Sequence, residues 1–199
     1  MSALAEALAP LYRAYLRRLD EMVARVGAQR TLREPVAREE GRLVRHESGL
    51  LLRLDVVDSS TGEVFEVHGA RPDEPGQRKL QLGTLEFRLE PGNWEELRVR
   101  CAFASAPSAD DRAALAELLR SWAVLAAAGA FAPLTESAGP DGWSGRLHSI
   151  DVRQGDSDAT AVVDLGTCPP AAFDVLAQAL AAFGRDRIAI ASVSMGGQP

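Results

Sequence analysis

Residues 85–104 read LEFRLEPGNWEELRVRCAFA, and the interpretation of the fold depends on them. Apolar and charged residues alternate in both arms of this stretch, 85–90 and 96–104. Such alternation predicts two strands, each with one buried face and one face in water. The Pro-Gly pair between the arms suits the centre of a type II turn. The stretch is therefore predicted to form an antiparallel hairpin with arginine and glutamate on its outward face.

The rest of the chain shows the same two periods, three to four for helices and two for strands. Apolar residues spaced by three and four predict helices over 3–28, 108–128 and 169–184. Alternating residues predict strands over 146–153 and 159–165, and residues 187–195 form a strand that is apolar on both faces. Pro10 predicts either a kink in the first helix or its true first turn.

These elements predict an α+β fold, with a largely antiparallel sheet, helices mainly on one face, and an N-terminal amphipathic helix. Residues 1–40 are interpreted as that helix and a linker, and residues 41–199 as a single α+β domain. Within it, 83–130 and 145–184 share the order strand, strand, helix. They represent either a duplicated ββα unit or two common arrangements in succession.

The alternative interpretation takes residues 96–194 as βαββαβ, the ferredoxin-like order. In that order the first strand lies between the third and the fourth. The Pro-Gly turn favours the tandem ββα units over this alternative.

Composition excludes several classes of protein. The chain has 199 residues, 46% of them hydrophobic and 25% charged, which is ordinary for a folded protein. A net charge of −6 without a strong basic patch argues against nucleic-acid binding. Among 22 basic residues only Lys79 is a lysine, which indicates a GC-rich bacterial genome. The sequence shows no secretory leader and no membrane-spanning run, and two cysteines make no disulfide framework, so we expect a cytoplasmic protein.

Cys168 is the one candidate for catalysis. It lies in TCPPA, between a short strand and a helix, where the amide groups of a helix N-terminus would favour a thiolate. A resolving cysteine is missing, because Ala171 stands at its position, and no histidine or other base is placed beside the thiol. A small residue at an ordinary strand-to-helix joint is the favoured interpretation.

The histidines predict neither a metal site nor a catalytic triad. His46, His68 and His148 show no metal-ligand spacing, and no nucleotide-binding glycine motif occurs, so no cofactor is expected. His148 shares a strand face with apolar residues and is expected to be partly buried with one hydrogen bond. Ser144, His148 and Asp151 occur in order, but one strand spreads them over two faces, so coincidence is the better interpretation.

The leading hypothesis is a non-catalytic protein-binding module: an adaptor, a secretion-type chaperone or an immunity-type protein. The candidate partner-binding residues are Arg98 and Arg100 on the wet sheet face, and Trp94 and Trp143 beside turns. The alternatives are a thiol-dependent enzyme using Cys168 and a small-ligand-binding domain.

Two further predictions concern partners and loops. We expect a homodimer if part of the N-terminal helix projects, whereas the protein can be a monomer if the helix packs on its own sheet. A dimer that survives removal of residues 1–8 would have its interface at an edge strand near 187–195. The loops 69–79 and 131–143 are longer than their connections need, which is typical of functional or mobile loops.

Overall fold

The computed structural model describes residues 2–72, 78–132 and 142–196, and within them it contains three helices and eleven strands. The centres of the two long loops, 73–77 and 133–141, lie outside the described residues. The fold is α+β with a mainly antiparallel sheet, as predicted.

The helices are α1 (Ala3–Val26), α2 (Ala109–Ala127) and α3 (Ala172–Asp186). The strands are, in chain order, β1 (Thr31–Arg33), β2 (Arg38–Glu39), β3 (Arg42–Leu43), β4 (Val56–Asp58), β5 (Val64–Phe65), β6 (Arg78–Leu82), β7 (Leu85–Leu89), β8 (Leu97–Phe103), β9 (Ser149–Gln154), β10 (Asp158–Asp164) and β11 (Ile190–Met195). None of the helices in the described residues is long and apolar enough to cross a membrane.

The main sheet has six strands in the order β6-β7-β11-β8-β10-β9. The predicted hairpin of 85–90 with 96–104 is wrong, because β11 lies between its two arms. β11 pairs with β7 in parallel and with β8 antiparallel. The outward residues of β11 are Ser192 and Ser194, so this strand is not apolar on both faces. Ile190, Val193 and Met195 of β11 are buried in the core, and a central position also satisfies the strand's backbone on both sides. The tandem ββα interpretation is therefore wrong for its first unit.

The alternative interpretation of residues 96–194 is confirmed in its strand order. β8, the first strand of the βαββαβ series, lies between β10, the third, and β11, the fourth. The predicted antiparallel pairing of 146–153 with 159–165 is also confirmed, as β9 with β10. β6 and β7 form a hairpin that extends this four-stranded sheet beyond β11.

All three helices cover one face of the main sheet. α2 packs on β9 and β10, α3 on β11, and α1 beside α3 and against β6. The rings of Trp122 on α2 and Phe173 on α3 lie 5.2 Å apart, and both are buried in one continuous core. Strand residues facing the helices are buried, while alternate residues facing the other way stay partly or fully exposed.

Helix α1 belongs to this core and continues through Pro10. Leu4 and Leu8 are buried, and Ser2 caps the helix and donates a hydrogen bond to Asp174 of α3. The predicted homodimer rests on a projecting N-terminus, which the structure does not provide. The other predicted interface, at 187–195, is corrected as well, since β11 is central. The oligomeric state stays a prediction.

Residues 31–65 add a second layer. β4 pairs with β1 on one side and with β5 on the other, and β2 and β3 form a two-stranded ribbon. This small three-stranded sheet contacts α1 through β4. Its position brings residues near 34 and 55 against the main domain.

The fully buried Phe173 tests the packing of α3 on the sheet. Phe173→Ala should lower the free energy of unfolding by about 3–5 kcal/mol, because it leaves a cavity between α2, α3 and the sheet. Val175→Ala, in the same helix but exposed, should change it by no more than about 0.5 kcal/mol. Urea unfolding measures both, and equal losses would contradict the described packing.

Candidate functional site

Glu34 is a buried carboxylate fixed by three donors. It follows β1 with a φ of 46°, a left-handed conformation that turns the chain at the end of the strand. Oε1 accepts hydrogen bonds from Thr167 Oγ1 at 2.5 Å and from His148 Nε2 at 2.9 Å. Oε2 accepts one from the Ser144 amide at 2.5 Å. Glu34 is 2% exposed, so these donors replace water around its charge.

His148 lies opposite Glu34, just before β9. Its Nδ1 is 3.5 Å from Asp55 Oδ1 and 3.5 Å from Asp164 Oδ2, as ion pairs rather than well-aligned hydrogen bonds. The chain passes directly against the ring at Gly166, where a Cβ would overlap the imidazole and φ is 51°. The predicted single hydrogen bond is therefore only part of the surroundings of a fully enclosed ring.

Asp55 joins the same cluster from the segment before β4. Oδ1 accepts a hydrogen bond from the Tyr15 hydroxyl of α1, and Oδ2 accepts one from the Val67 amide at 2.6 Å. The Glu34 amide donates to the Asp55 carbonyl at 2.9 Å, which holds the two acidic residues side by side. The cluster thus connects α1, the small sheet and the main sheet.

The charges of this cluster depend on one another. Burial alone would lower the pKa of His148, but its contacts with Asp164, Glu34 and Asp55 outweigh burial and raise that pKa to about 10. Burial would raise the pKa of Glu34, but His148, Thr167 and the Ser144 amide outweigh it and lower that pKa to about 2. Burial dominates at Asp55 and raises its pKa. A cationic imidazole facing a carboxylate is the resulting state.

This arrangement is almost fully buried. His148, Glu34 and Thr167 are each 2% exposed or less, whereas the Asp164 side chain is 32% exposed. Across residues 2–72, 78–132 and 142–196 no group of three His, Cys, Asp or Glu is arranged to hold a metal ion. Both ring nitrogens of His148 face carboxylate oxygens, Nε2 at 2.9 Å from Glu34 and Nδ1 at 3.5 Å from Asp55.

Ser144 and Asp151 do not combine with His148 into a triad. The Ser144 amide, rather than its hydroxyl, contacts the cluster. Asp151 lies on the opposite, outward side of β9 and pairs with Arg153 Nε at 2.8 Å. These positions agree with the prediction that Ser144, His148 and Asp151 occur in this order by coincidence.

Cys168 is buried in the core and is not accessible at the surface. It is 0% exposed and lies four residues before α3 begins. Burial, together with the nearby negative charge of Glu34, raises the pKa of its thiol well above the ordinary value. Both observations count against a nucleophilic role.

The structure corrects the placement of both tryptophans. Trp94 and Trp143 are 0% and 2% exposed, so neither offers an aromatic surface to a partner. The Trp94 indole N–H donates to the Gly166 carbonyl at 3.0 Å, and its ring packs against Tyr12 and Phe173. Each covers the end of a core, which local sequence does not distinguish from an exposed anchor.

Arg98 and Arg100 lie where alternation predicts them, on the outward face of β8. We define the sheet face as the outward residues of the main sheet. It comprises Lys79, Gln81, Glu86, Arg88, Arg98, Arg100, Ala102, Ser149, Asp151, Arg153, Asp158, Thr160, Val162, Asp164, Ser192 and Ser194. Five basic and four acidic side chains lie on it, in a chain with a net charge of −6.

The strand registers align the cations of the sheet face. Successive Cα partners across all six strands form one line, which we call the basic row: Lys79, Arg88, Ser194, Arg100, Thr160 and Arg153. Four of its six members are basic and none is acidic. The guanidinium side chains are exposed, from 50% at Arg88 to 78% at Arg153.

Acidic neighbours orient the arginines of the basic row. Nε of Arg88 bonds Glu86, Nε of Arg100 bonds Asp158 at 2.5 Å, and Nε of Arg153 bonds Asp151. Arg98 differs, because its Nε is buried and has no hydrogen-bond partner among the described residues. Arg100 is therefore the predicted arginine that best presents its charge.

A surface groove of about 360 Å³ lies between α1 and residues 66–68. Its lining includes Arg18, Arg25, Glu21 and Glu66. Small-ligand sites are mostly apolar and enclose their ligand, so this charged surface groove gives little support to the small-ligand alternative.

The buried pair predicts a large effect of one substitution. Glu34→Gln leaves the His148 imidazolium buried without its facing charge, and we expect a loss of about 3–5 kcal/mol in the free energy of unfolding. Glu63→Gln removes an exposed charge and should stay within about 0.5 kcal/mol. Guanidinium unfolding compares the two, and a loss near zero at Glu34 would contradict the described pair.

The pH dependence of stability tests the charge on His148. Its pKa is raised from 6.5 to about 10, so the folded protein keeps a proton that the unfolded chain releases. The stabilisation is complete below pH 6.5 and is lost as pH rises toward 10. The slope should approach about 1.4 kcal/mol per pH unit.

Urea unfolding at several pH values between about 6.5 and 7.5 measures this slope, below the pH of about 8.5 at which cysteine thiols titrate in the unfolded chain. His148→Gln should flatten the profile, while His46→Gln should keep it. Parallel profiles for His148→Gln and the unchanged protein would contradict a charged His148.

Comparisons with known proteins add no identity to this site. No protein-family model, no curated protein and no solved structure matches the chain. What the protein does is therefore inferred from its own side chains.

Proposed function

We propose that this chain is a non-catalytic protein-binding module that binds an acidic surface of a partner protein through its sheet face. The observation that carries the proposal is the basic row, in which Lys79, Arg88, Arg100 and Arg153 align on the face of the main sheet opposite the three helices. Cations aligned on a rigid sheet favour a partner with complementary charge and fix its orientation.

The reactive groups of the interior support a binding role over catalysis. The His148 cluster is enclosed, and its hydrogen bonds serve to hold Glu34 and Asp55 against the main domain. The Cys168 thiol is enclosed as well, with a raised pKa. General acid–base or nucleophilic catalysis needs such groups within reach of a substrate.

The chemistry of the sheet face favours protein over nucleic acid as the partner. Single-stranded nucleic acid is held by aromatic side chains that stack on bases, and the sheet face carries none. An acidic protein surface pairs with the basic row without aromatic stacking.

An adaptor, a secretion-type chaperone and an immunity-type protein all act by covering part of another protein, so each is compatible with this role. We propose the module as a cytoplasmic bacterial protein. A second copy of the chain is a competing occupant of the sheet face, because the chain carries a net charge of −6. Sedimentation distinguishes it, since self-association would disappear with Arg100→Glu.

Site-specific photo-crosslinking in the cells that make the protein tests the proposal. A photoreactive residue at Thr160, within the basic row, should form adducts with a second protein, whereas one at Glu117, exposed on α2, should not. The captured protein is then purified and its affinity measured.

Replacing Arg100 and Arg153 by glutamine should weaken that affinity by at least about tenfold, and added salt should weaken it further. Arg13→Gln with Arg18→Gln, exposed on α1, is the matched control for the loss of two charges. Unchanged affinity after the sheet-face substitutions, or no adduct at Thr160, would refute the proposal.

A further inference from the structure

Three arginines of the basic row recur at every second strand. Arg88 lies on β7, Arg100 on β8 beyond β11, and Arg153 on β9 beyond β10. Neighbouring strands are about 4.8 Å apart, so successive arginines are separated by about 9.6 Å. The hydroxyl residues Ser194 and Thr160 occupy the intervening positions and leave space between the guanidinium groups.

The guanidinium group of each of these arginines is fixed through Nε, and its Nη groups are available to bind a partner. Nε of each donates to a neighbouring acid, and within the described residues their Nη groups form no hydrogen bond. The Nη pair of a guanidinium binds a carboxylate through two parallel hydrogen bonds. Anchoring at Nε reduces the side-chain freedom that binding would otherwise remove.

We propose that the partner element is an acidic α-helix lying across the strands, with carboxylates at i, i+7 and i+14 on one side. Seven residues of helix rise about 10.5 Å, close to the spacing of the three arginines. This inference rests on the proposed function and specifies its partner.

An extended partner segment fits the same arginines poorly. Side chains on one side of a strand repeat about every 6.6–6.8 Å, which misses the spacing of about 9.6 Å. The sheet twists by about 20–25° per strand, so the three guanidinium groups fan outward. Arginine side chains are long and flexible enough to reach a single helix despite this divergence. Arg100, the middle arginine, lies at the centre of the contact.

A defined peptide tests the inference. The probe is an alanine-rich helical peptide with three glutamates at seven-residue intervals, labelled for fluorescence anisotropy. The matched control has the same composition, with the middle glutamate moved two residues onto another side of the helix. We expect the in-register peptide to bind at least about tenfold more tightly than the control.

Substitutions in the protein assign that binding to the basic row. Arg100→Gln should remove the advantage of the in-register peptide, whereas Arg13→Gln should keep it. Circular dichroism confirms that both variants are folded and that both peptides are equally helical.

The outcomes separate this inference from the proposed function. Equal binding of both peptides, lost with Arg100→Gln, refutes the helix register and leaves an acidic partner at the sheet face. No binding of either peptide refutes the helix, while the crosslinking at Thr160 decides the proposed function independently. An oligonucleotide of equal charge binding as tightly as the in-register peptide would also overturn the inference.

Discussion

The Glu34 carboxylate and the His148 imidazolium are both removed from water, and each keeps its charge because the other is 2.9 Å away. Neither charge alone would be tolerated at that depth, since burying an unpaired ion costs several kcal/mol. Glu34 comes from the turn after β1 and His148 from the start of β9, so the pair fixes the small sheet against the main domain. The left-handed backbone at Glu34 is retained because the donors around its carboxylate determine where it must lie. The position of the second layer therefore depends on this ion pair together with the hydrogen bonds that Asp55 accepts from Tyr15 and Val67.

The sequence predicts the helices and strands of this fold better than it predicts which strands pair with each other. The alternation of apolar and polar residues predicted the strand 85–90. The pairing of β9 with β10 was predicted because a short polar turn joins those two strands. The Pro-Gly turn after β7 is an equally local signal, yet β11 arrives from about a hundred residues later and displaces β8 from β7. The buried residues of β11 are Ile190, Val193 and Met195, and they join a core that also includes β7 and β8. Local turn chemistry was outweighed by long-range burial.

The two candidate sites were predictable to different degrees for the same reason. Arg98 and Arg100 face outward by strand period, which is local, and the structure places them there. The ion pair joins residues 114 apart in sequence, and no spacing rule connects them. An inward-facing histidine did indicate a buried ring, but the identity of its partner depended on how the segment around Glu34 folds back. Trp94 and Trp143 failed as candidates because burial at a strand end is also a tertiary property.

The insertion of β11 also determines the charge pattern of the sheet face. In the predicted hairpin, Arg88 and Arg100 would lie on adjacent strands, where like charges close to one another destabilise a sheet. β11 places Ser194 between them and roughly doubles their separation. Each arginine can then pair with its own acid through Nε, while half or more of its side chain stays exposed. β11 thus contributes to the core on its inner face and separates the cations on its outer face. Its insertion between β7 and β8 therefore determines both the strand order of the sheet and the charge pattern that a partner would meet.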